Sequence, residues 1–128
     1  MDTKKVVIVD DVESVIVELS QMLSRNGIDK IYQAKNGLEA ISLLDKLSNE
    51  GVQLDLIFSD INMPEMNGID FVKKVKSDER YEDLPICMVS THSEAEKVLE
   101  AISAGAIGYI NKPLDEETII EKLNSFSK

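Results

Sequence analysis

The segment that constrains the fold most is a short apolar run that ends in a carboxylate. Residues 54–58 are apolar apart from Asp55, which is typical of a strand covered on both faces in a parallel sheet. Asp60 follows where the run ends. Pro64 prevents the strand from continuing, and Gly68 allows the chain to turn before the next periodic segment. The sequence therefore predicts a buried strand that carries Asp60 to its end.

Four more short apolar runs alternate with segments of helical periodicity. The other predicted strands cover residues 4–10, 31–34, 85–90 and 107–111, and the helical patterns cover residues 12–23, 40–47, 69–76, 95–102 and 114–126. Asn36 and Asp115 are placed to cap two helices, and Gly27 and Gly105 to end two others. This alternation predicts a three-layer α/β domain with a five-stranded parallel sheet.

Two details of this assignment concern helix faces and loops. In the fourth helix we expect one buried apolar face formed by Ala95, Val98, Leu99 and Ile102. We expect residues 77–83, which are charged and polar, to form a surface loop. Cys87 is the single cysteine and lies in an apolar run, so we interpret it as a buried core thiol.

Composition limits the classes of function. The 128 residues suit a single domain, 1–128, with no output domain, and the formal net charge is −10. No basic stripe is present that would neutralise nucleic-acid phosphates, so we expect no direct nucleic-acid binding. The longest apolar run near the start, residues 6–9, is too short for a signal peptide or a membrane span. We therefore expect a cytoplasmic protein without membrane contact.

Polar residues follow four of the five predicted strands. They are Asp10 and Asp11, then Asp60 and Asn62, then Ser90 and Thr91, and finally Lys112 and Pro113. The carboxyl ends of parallel strands share one edge of the sheet, where α/β folds bind ligands. Three adjacent carboxylates repel one another, and a hard divalent cation such as Mg²⁺ relieves this repulsion. Together with a lysine and a hydroxyl, the set predicts an aspartate that accepts a phosphoryl group.

With these motifs the chain resembles the receiver domain of two-component response regulators, especially the single-domain chemotaxis (CheY-like) type. The residues that carry the resemblance are Asp10 and Asp11 together with segments 60–68, 88–90 and 104–113. The resemblance implies a doubly wound fold with strand order 2-1-3-4-5. It also implies that Asp60 accepts a phosphoryl group from the phosphohistidine of a sensor histidine kinase.

The resemblance assigns metal and phosphoryl ligands. It implies that Asp11 and Asp60 bind Mg²⁺ by their side chains, Asn62 by its backbone carbonyl and Asp10 through water. Mn²⁺ or another divalent cation can substitute. Lys112 is expected to contact the phosphoryl group, and the peptide bond between Lys112 and Pro113 is expected to be cis.

The resemblance also assigns switch residues and partners. Ser90 takes the position of the switch hydroxyl and Tyr109 that of the switch aromatic, while Asn62 and His92 stand where side chains tune the phosphoryl lifetime. Thr91 departs from the alanine or glycine of many relatives. The implied partners are the kinase and a downstream protein that binds the face of the fourth helix, fifth strand and fifth helix. We expect a monomer that catalyses its own phosphorylation and dephosphorylation without turning over a separate substrate.

Several alternatives remain open at this stage. A magnesium-dependent phosphatase with an aspartate nucleophile usually needs a second acid two positions later, where this chain has Asn62. A flavodoxin-like cofactor binder would need a phosphate-binding loop after the first strand, where Asp10 and Asp11 would repel phosphate. Within the resembled family, a phosphorelay intermediate, a phosphate sink and a receiver fragment of a larger regulator are also possible.

Overall fold

The computed structural model describes residues 4–91 and 94–126. In these residues five strands alternate with five α-helices. The strands are β1 (Lys5–Val9), β2 (Lys30–Ala34), β3 (Leu56–Asp60), β4 (Ile86–Ser90) and β5 (Gly108–Asn111). The helices are α1 (Glu13–Arg25), α2 (Gly37–Asn49), α3 (Gly68–Lys76), α4 (Ala95–Ala104) and α5 (Glu116–Phe126). No helix in this part of the chain combines the length and the apolar character needed to cross a bilayer.

The sheet is parallel throughout and has the order β2-β1-β3-β4-β5, which confirms the predicted fold class. The order in which strands are added to the sheet reverses between β1 and β3: β2 lies on one side of β1, and β3, β4 and β5 follow on the other. The strands β1 and β3 are parallel neighbours, with Val9 opposite Ser59. In the next pair Asp60 lies opposite Val89. The residues that end β1, β3 and β4 are therefore brought to one edge, at the reversal point where such folds bind ligands.

Two apolar cores cover the two faces of the sheet. One core contains buried residues of α1 and α5, such as Ile16 and Leu123, and the other contains residues of α2, α3 and α4, such as Leu44, Phe71 and Val98. The central strands β3 and β4 are buried along their whole length, as their continuous apolar sequences predict. Rigid packing on both faces holds the strand ends in fixed positions.

Several local predictions are confirmed. The side chain of Asn36 accepts a hydrogen bond from the Glu39 amide and caps α2, and Asp115 accepts one from the Thr118 amide at the start of α5. Gly27 and Gly105 end α1 and α4 with positive φ angles of 89° and 126°. Cys87 is fully buried, and this burial raises the pKa of its thiol to about 12.

The predicted apolar face of α4 is wrong in part. Val98 is buried, but Leu99 is 67% exposed and Ile102 is 40% exposed, and Ala95 is exposed as well. The buried contact is completed instead by Ala101. The periodicity identified the helix correctly, but it could not show that part of the apolar stripe extends past the edge of the core.

Two other expectations need correction. Residues 77–83 are not a plain surface loop, because Glu79–Tyr81 forms a 3₁₀ turn and the Tyr81 side chain is buried in the core. Gly68 is the first residue of α3 and does not have the positive φ of a sharp turn. A glycine is needed there for space, because a Cβ atom would lie 2.2 Å from the carbonyl oxygen of Asp60.

Candidate functional site

Three carboxylates meet at the edge of the sheet where β1 and β3 end. Each of Asp10, Asp11 and Asp60 places one carboxylate oxygen in a group whose members all lie within 4.8 Å of one another. Asp10 and Asp60 are buried and Asp11 is exposed, so the cluster opens toward solvent at Asp11. Because β1 and β3 are adjacent, the acidic pair and the candidate acceptor come from different parts of the sequence but share one site.

Both carboxylate oxygens of Asp60 have a partner, and the residue is only slightly exposed. Its Oδ1 atom accepts a hydrogen bond of 2.8 Å from the amide of Ile61, and 5% of the residue is exposed. Its Oδ2 atom lies 3.7 Å from the ammonium nitrogen of Lys112. The acceptor is thus fixed in orientation, with a narrow opening to solvent.

Lys112 is placed between two carboxylates. Its Nζ atom lies 3.4 Å from Asp10 Oδ2 as well as 3.7 Å from Asp60 Oδ2. It follows β5 directly, and its backbone amide donates a hydrogen bond of 2.7 Å to the carbonyl of Ser90. The peptide bond between Lys112 and Pro113 is cis. The end of β5 thereby delivers one cation to the acidic cluster.

Burial controls the ionisation of this site. It raises the pKa of Asp60 from 3.8 to about 6, the charge of Asp10 adds to the rise, and Lys112 opposes it. Burial also raises the pKa of Asp10, against the hydrogen bond from the Val12 amide and the charge of Lys112. The single ammonium group does not balance the carboxylates, so the site has an excess of buried negative charge at neutral pH.

A second polar network lies beside the acceptor. The side chain of Asn62 donates a hydrogen bond from Nδ2 to Glu94 and accepts one of 2.8 Å from Lys97 Nζ. Glu94 in turn accepts hydrogen bonds from the amide and hydroxyl of Thr91. Sequence reasoning did not identify Glu94 or Lys97. The only available signal was a glutamate at a helix N-cap position, where shorter polar side chains are preferred.

The sequence and the fold of this chain are similar to those of known proteins. The sequence-family model of the response regulator receiver domain matches residues 6–124. The chain belongs to the response regulator receiver family. The Chemotaxis protein CheY homolog of Campylobacter jejuni is 41% identical over 119 residues, which cover 93% of this receiver and 88% of the relative.

Other relatives agree with this assignment. The Chemotaxis protein CheY1 of Helicobacter pylori is 39% identical to this receiver, and the alignment covers 93% of each chain. The structure of the chemotaxis response regulator CheY4 of Vibrio cholerae is similar, with a TM-score of 0.84 and 35% identity over 96% of this receiver and 98% of that chain. The similarity extends over the whole fold.

The donor set of this receiver fits a divalent cation. Receiver domains bind such an ion through an acidic cluster, which Asp10, Asp11 and Asp60 form here. Asp10 Oδ2 is buried and accepts no hydrogen bond in the described structure, and its nearest cation is the Lys112 ammonium group at 3.4 Å. An orphaned buried oxygen beside two further carboxylates is the environment that a hard cation with oxygen ligands completes.

The predicted switch residues lie at the end of β4 and within β5. The hydroxyl of Ser90 is buried and has no hydrogen-bond partner in the described structure. A cavity of about 300 Å³ is lined by residues of β4, α4 and β5, among them Ser90, Leu99, Ile102 and Tyr109. Tyr109 is 45% exposed and therefore points outward. His92, the other predicted lifetime-tuning residue besides Asn62, lies outside the described residues.

Proposed function

We propose that this receiver accepts a phosphoryl group on Asp60 from the phosphohistidine of a sensor histidine kinase, with Mg²⁺ as its cofactor. The observation that carries the proposal is the position of Lys112, whose ammonium group lies within 4 Å of both Asp10 and Asp60 in a three-carboxylate cluster. A nucleophilic carboxylate, an oxygen-rich cation site and a fixed ammonium group are the components that phosphoryl transfer requires.

In the transfer, an oxygen of the ionised Asp60 carboxylate attacks the phosphorus atom. The phosphorus–nitrogen bond to the kinase imidazole breaks, the imidazole keeps the electron pair and takes up a proton, and an acyl phosphate forms. Mg²⁺, when bound by the side chains of Asp11 and Asp60, the backbone carbonyl of Asn62 and, through water, Asp10, would neutralise the incoming oxygens. In this proposal Lys112 adds a second positive charge, and the Ser90 hydroxyl donates a hydrogen bond to the phosphoryl group.

The phosphorylated state ends when water attacks the phosphorus atom. This step releases inorganic phosphate and regenerates the Asp60 carboxylate, so the domain catalyses its own phosphorylation and dephosphorylation and turns over no separate substrate. Asn62, which lies two residues after Asp60, and His92 are the proposed determinants of how fast the water reacts.

We further propose that output depends on movement of Ser90 and Tyr109. The phosphoryl group draws the unpartnered Ser90 hydroxyl toward Asp60, and Tyr109 turns from its exposed position into the cavity beside α4. A downstream protein then binds the altered face of α4, β5 and α5, where Leu99 and Ile102 are exposed. Binding to a partner, without an attached output domain, fits relatives that match this receiver over 88% to 93% of their own length.

The names of the relatives indicate the signalling pathway in which we propose that this receiver acts. Chemotaxis proteins of Campylobacter jejuni and Helicobacter pylori are 39% to 41% identical to this receiver, so we propose that it acts in chemotaxis signalling. We also propose that it works in the cytoplasm as a monomer and does not bind nucleic acid. The net charge of −10 favours a partner with a basic surface.

The proposal is tested by labelling with acetyl phosphate. The wild-type chain should gain one phosphoryl group in the presence of Mg²⁺, and chelation of the metal by EDTA should prevent the gain. Asp60→Asn should remove labelling, whereas Asp70→Asn, which alters an exposed carboxylate on α3, should retain it. Stoichiometric labelling of Asp60→Asn would refute the assignment.

A further inference from the structure

Glu94 is a buried carboxylate at a helix start that does not cap the helix. It occupies the N-cap position of α4, but its side chain makes no capping hydrogen bond with that helix. Only 7% of the residue is exposed, although Ala95, Glu96 and Lys97 of the same turn are all exposed. A glutamate is rarely buried to this extent without a specific set of partners.

The partners of Glu94 come from the two loops that flank the acceptor. Its Oε1 atom accepts hydrogen bonds from the amide of Thr91 at 2.7 Å and from the Thr91 hydroxyl at 3.0 Å. Its other oxygen, Oε2, accepts from Nδ2 of Asn62. Thr91 directly follows β4, and Asn62 lies two residues after Asp60, so one carboxylate joins both loops across the edge of the site.

The charge of Glu94 is stabilised by neutral donors. In the part of the chain that the structure describes, no lysine or arginine forms an ion pair with it. Lys97, the nearest candidate in the network, binds the amide oxygen of Asn62. Three hydrogen-bond donors therefore converge on an anion at the border of a site that must receive another anion. The charge of Glu94 is also among those that raise the pKa of Asp60.

We propose that Glu94 is an internal competitor of the phosphoryl group. In the unphosphorylated receiver its carboxylate occupies the hydrogen-bond donors of Thr91 and Asn62 and joins the segments that follow β3 and β4. Attachment of a phosphoryl group brings new acceptor oxygens between these segments, and Glu94 must release its donors as they turn to the phosphoryl oxygens. Glu94 acts through Asn62 and Thr91 and is a positioning residue.

Glu94 should limit phosphorylation in two ways. It occupies hydrogen-bond donors of Asn62 and Thr91 that its loss would free for a phosphoryl group. Its loss should also remove a negative charge that acts on Asp60. The inference rests on the proposed phosphorylation of Asp60 and adds a residue that limits how readily it occurs.

Beryllofluoride, a phosphoryl mimic, measures this competition at equilibrium. In the presence of Mg²⁺ we expect Glu94→Gln and Glu94→Ala to bind it more tightly than the wild type by about threefold to tenfold. Both variants lose the opposing charge, and the competing acceptor is weakened in Glu94→Gln and removed in Glu94→Ala. Glu96→Gln is the matched control, because it removes one exposed charge from the same turn of α4 without touching the network. It should bind within about twofold of the wild type.

A spectroscopic readout separates competition from a merely structural tie. In NMR spectra of the wild type, the Thr91 amide and the Asn62 side-chain amide should shift when beryllofluoride binds. In the mimic-free Glu94→Ala protein both signals should lie away from their wild-type positions. In the two mimic-bound proteins they should nearly coincide, because Glu94 has released its donors in the wild type, whereas a purely structural tie would keep them apart. The midpoint of urea unfolding is recorded in parallel. If Glu94→Ala does not fold, the isosteric Glu94→Gln carries both measurements.

The outcomes distinguish the inference from the proposed function. If the wild type binds the mimic and the two Glu94 variants bind with wild-type affinity, the competitor role is overturned while phosphorylation of Asp60 stands. An equal increase in beryllofluoride affinity in Glu96→Gln would also overturn it, because the effect would then come from the net charge of the protein and not from the Glu94 network. If the wild type fails to bind the mimic with Mg²⁺, the proposed function and this inference both fall.

Discussion

Gly68 packs against Asp60 so closely that a Cβ atom on Gly68 would lie 2.2 Å from the Asp60 carbonyl oxygen and 2.8 Å from Cα of Ile61. The amide of Gly68 also donates a hydrogen bond of 2.7 Å to the carbonyl of Ile61. The start of α3 is thus attached directly to the backbone of the acceptor. These two nearest groups are backbone atoms, which cannot move aside as a flexible side chain can.

Gly68→Ala should therefore lower the free energy of unfolding strongly. We expect a loss of about 3 kcal/mol, because the added methyl group must displace the backbone that carries Asp60. Gly27→Ala is the comparison, since Gly27 has open space around its Cβ position and a φ of 89°. That variant should lose only about 1 kcal/mol through backbone strain. Urea unfolding measures both, and equal losses would contradict the close-packing explanation.

The raised pKa of Asp60 predicts that its charge destabilises the metal-free fold. The folded chain keeps the Asp60 proton up to a pKa of about 6, whereas the ordinary carboxyl group releases it near 3.8. The folded state binds more protons between these values, so the free energy of unfolding should fall as pH rises through this window. Asp60→Asn should accordingly be more stable than the wild type at neutral pH, by about 2 to 3 kcal/mol.

Urea unfolding in EDTA, repeated across this pH window, measures the effect. The advantage of Asp60→Asn should shrink toward the acidic end, and Mg²⁺ should reduce it at neutral pH by stabilising the folded wild type. Asp29→Asn, at an exposed position, serves as the control and should leave stability nearly unchanged. A lower stability of Asp60→Asn at neutral pH would show that the ionised carboxylate is not under electrostatic stress.

Lys112 should matter for phosphoryl transfer more than for metal binding. Lys112→Met removes the ammonium group that lies 3.7 Å from Asp60, so labelling by acetyl phosphate should slow by about tenfold or more. Mg²⁺ binding should persist, because the three carboxylates remain. Lys74→Met, at an exposed position on α3, should label at the wild-type rate. Unchanged labelling of Lys112→Met would exclude the proposed contact with the phosphoryl group.

Tyr109 should be needed for output and dispensable for phosphorylation. Tyr109→Ala should label like the wild type but lose the increase in partner binding that beryllofluoride causes. Ile107→Ala is the matched control, because Ile107 is also exposed (51%, against 45% for Tyr109) and precedes β5 at the end away from the site. Capture of partner proteins with and without the mimic provides the measurement. Mimic-dependent capture that survives in Tyr109→Ala would remove its switch role.

The sheet and its order could be anticipated because the signals are strong and local. Continuous apolar runs and helical periodicity define the elements, and the motifs around Asp10, Asp60 and Lys112 carry a resemblance that supplies the order. The structure places Lys112 within ion-pair distance of both Asp10 and Asp60, whose carboxylates lie in one cluster at the shared strand edge. The apolar periodicity and the motifs were sufficient because Asp10, Asp60 and Lys112 each lie at the carboxyl end of a strand, which fixes their positions.

The remaining features depend on contacts between distant segments. Hydrophobicity alone could not show that Leu99 faces solvent while Ala101 is buried, since that depends on how α4 sits on the sheet. Nothing in the local sequence indicates that Glu94 turns toward Asn62, because these residues lie 32 positions apart. The space requirement at Gly68 likewise arises from packing between α3 and the end of β3, not from a turn.

The central claim is that Asp60 becomes an acyl phosphate, and chemical mapping of the modified residue tests it most directly. Reduction of the phosphorylated chain with borohydride converts an aspartyl phosphate to homoserine, which tandem mass spectrometry locates in the sequence. We predict homoserine at position 60 alone, dependent on prior incubation with acetyl phosphate and Mg²⁺. Homoserine at position 10 or 11, or phosphate retained on Ser90 with Asp60 unmodified, would contradict the account.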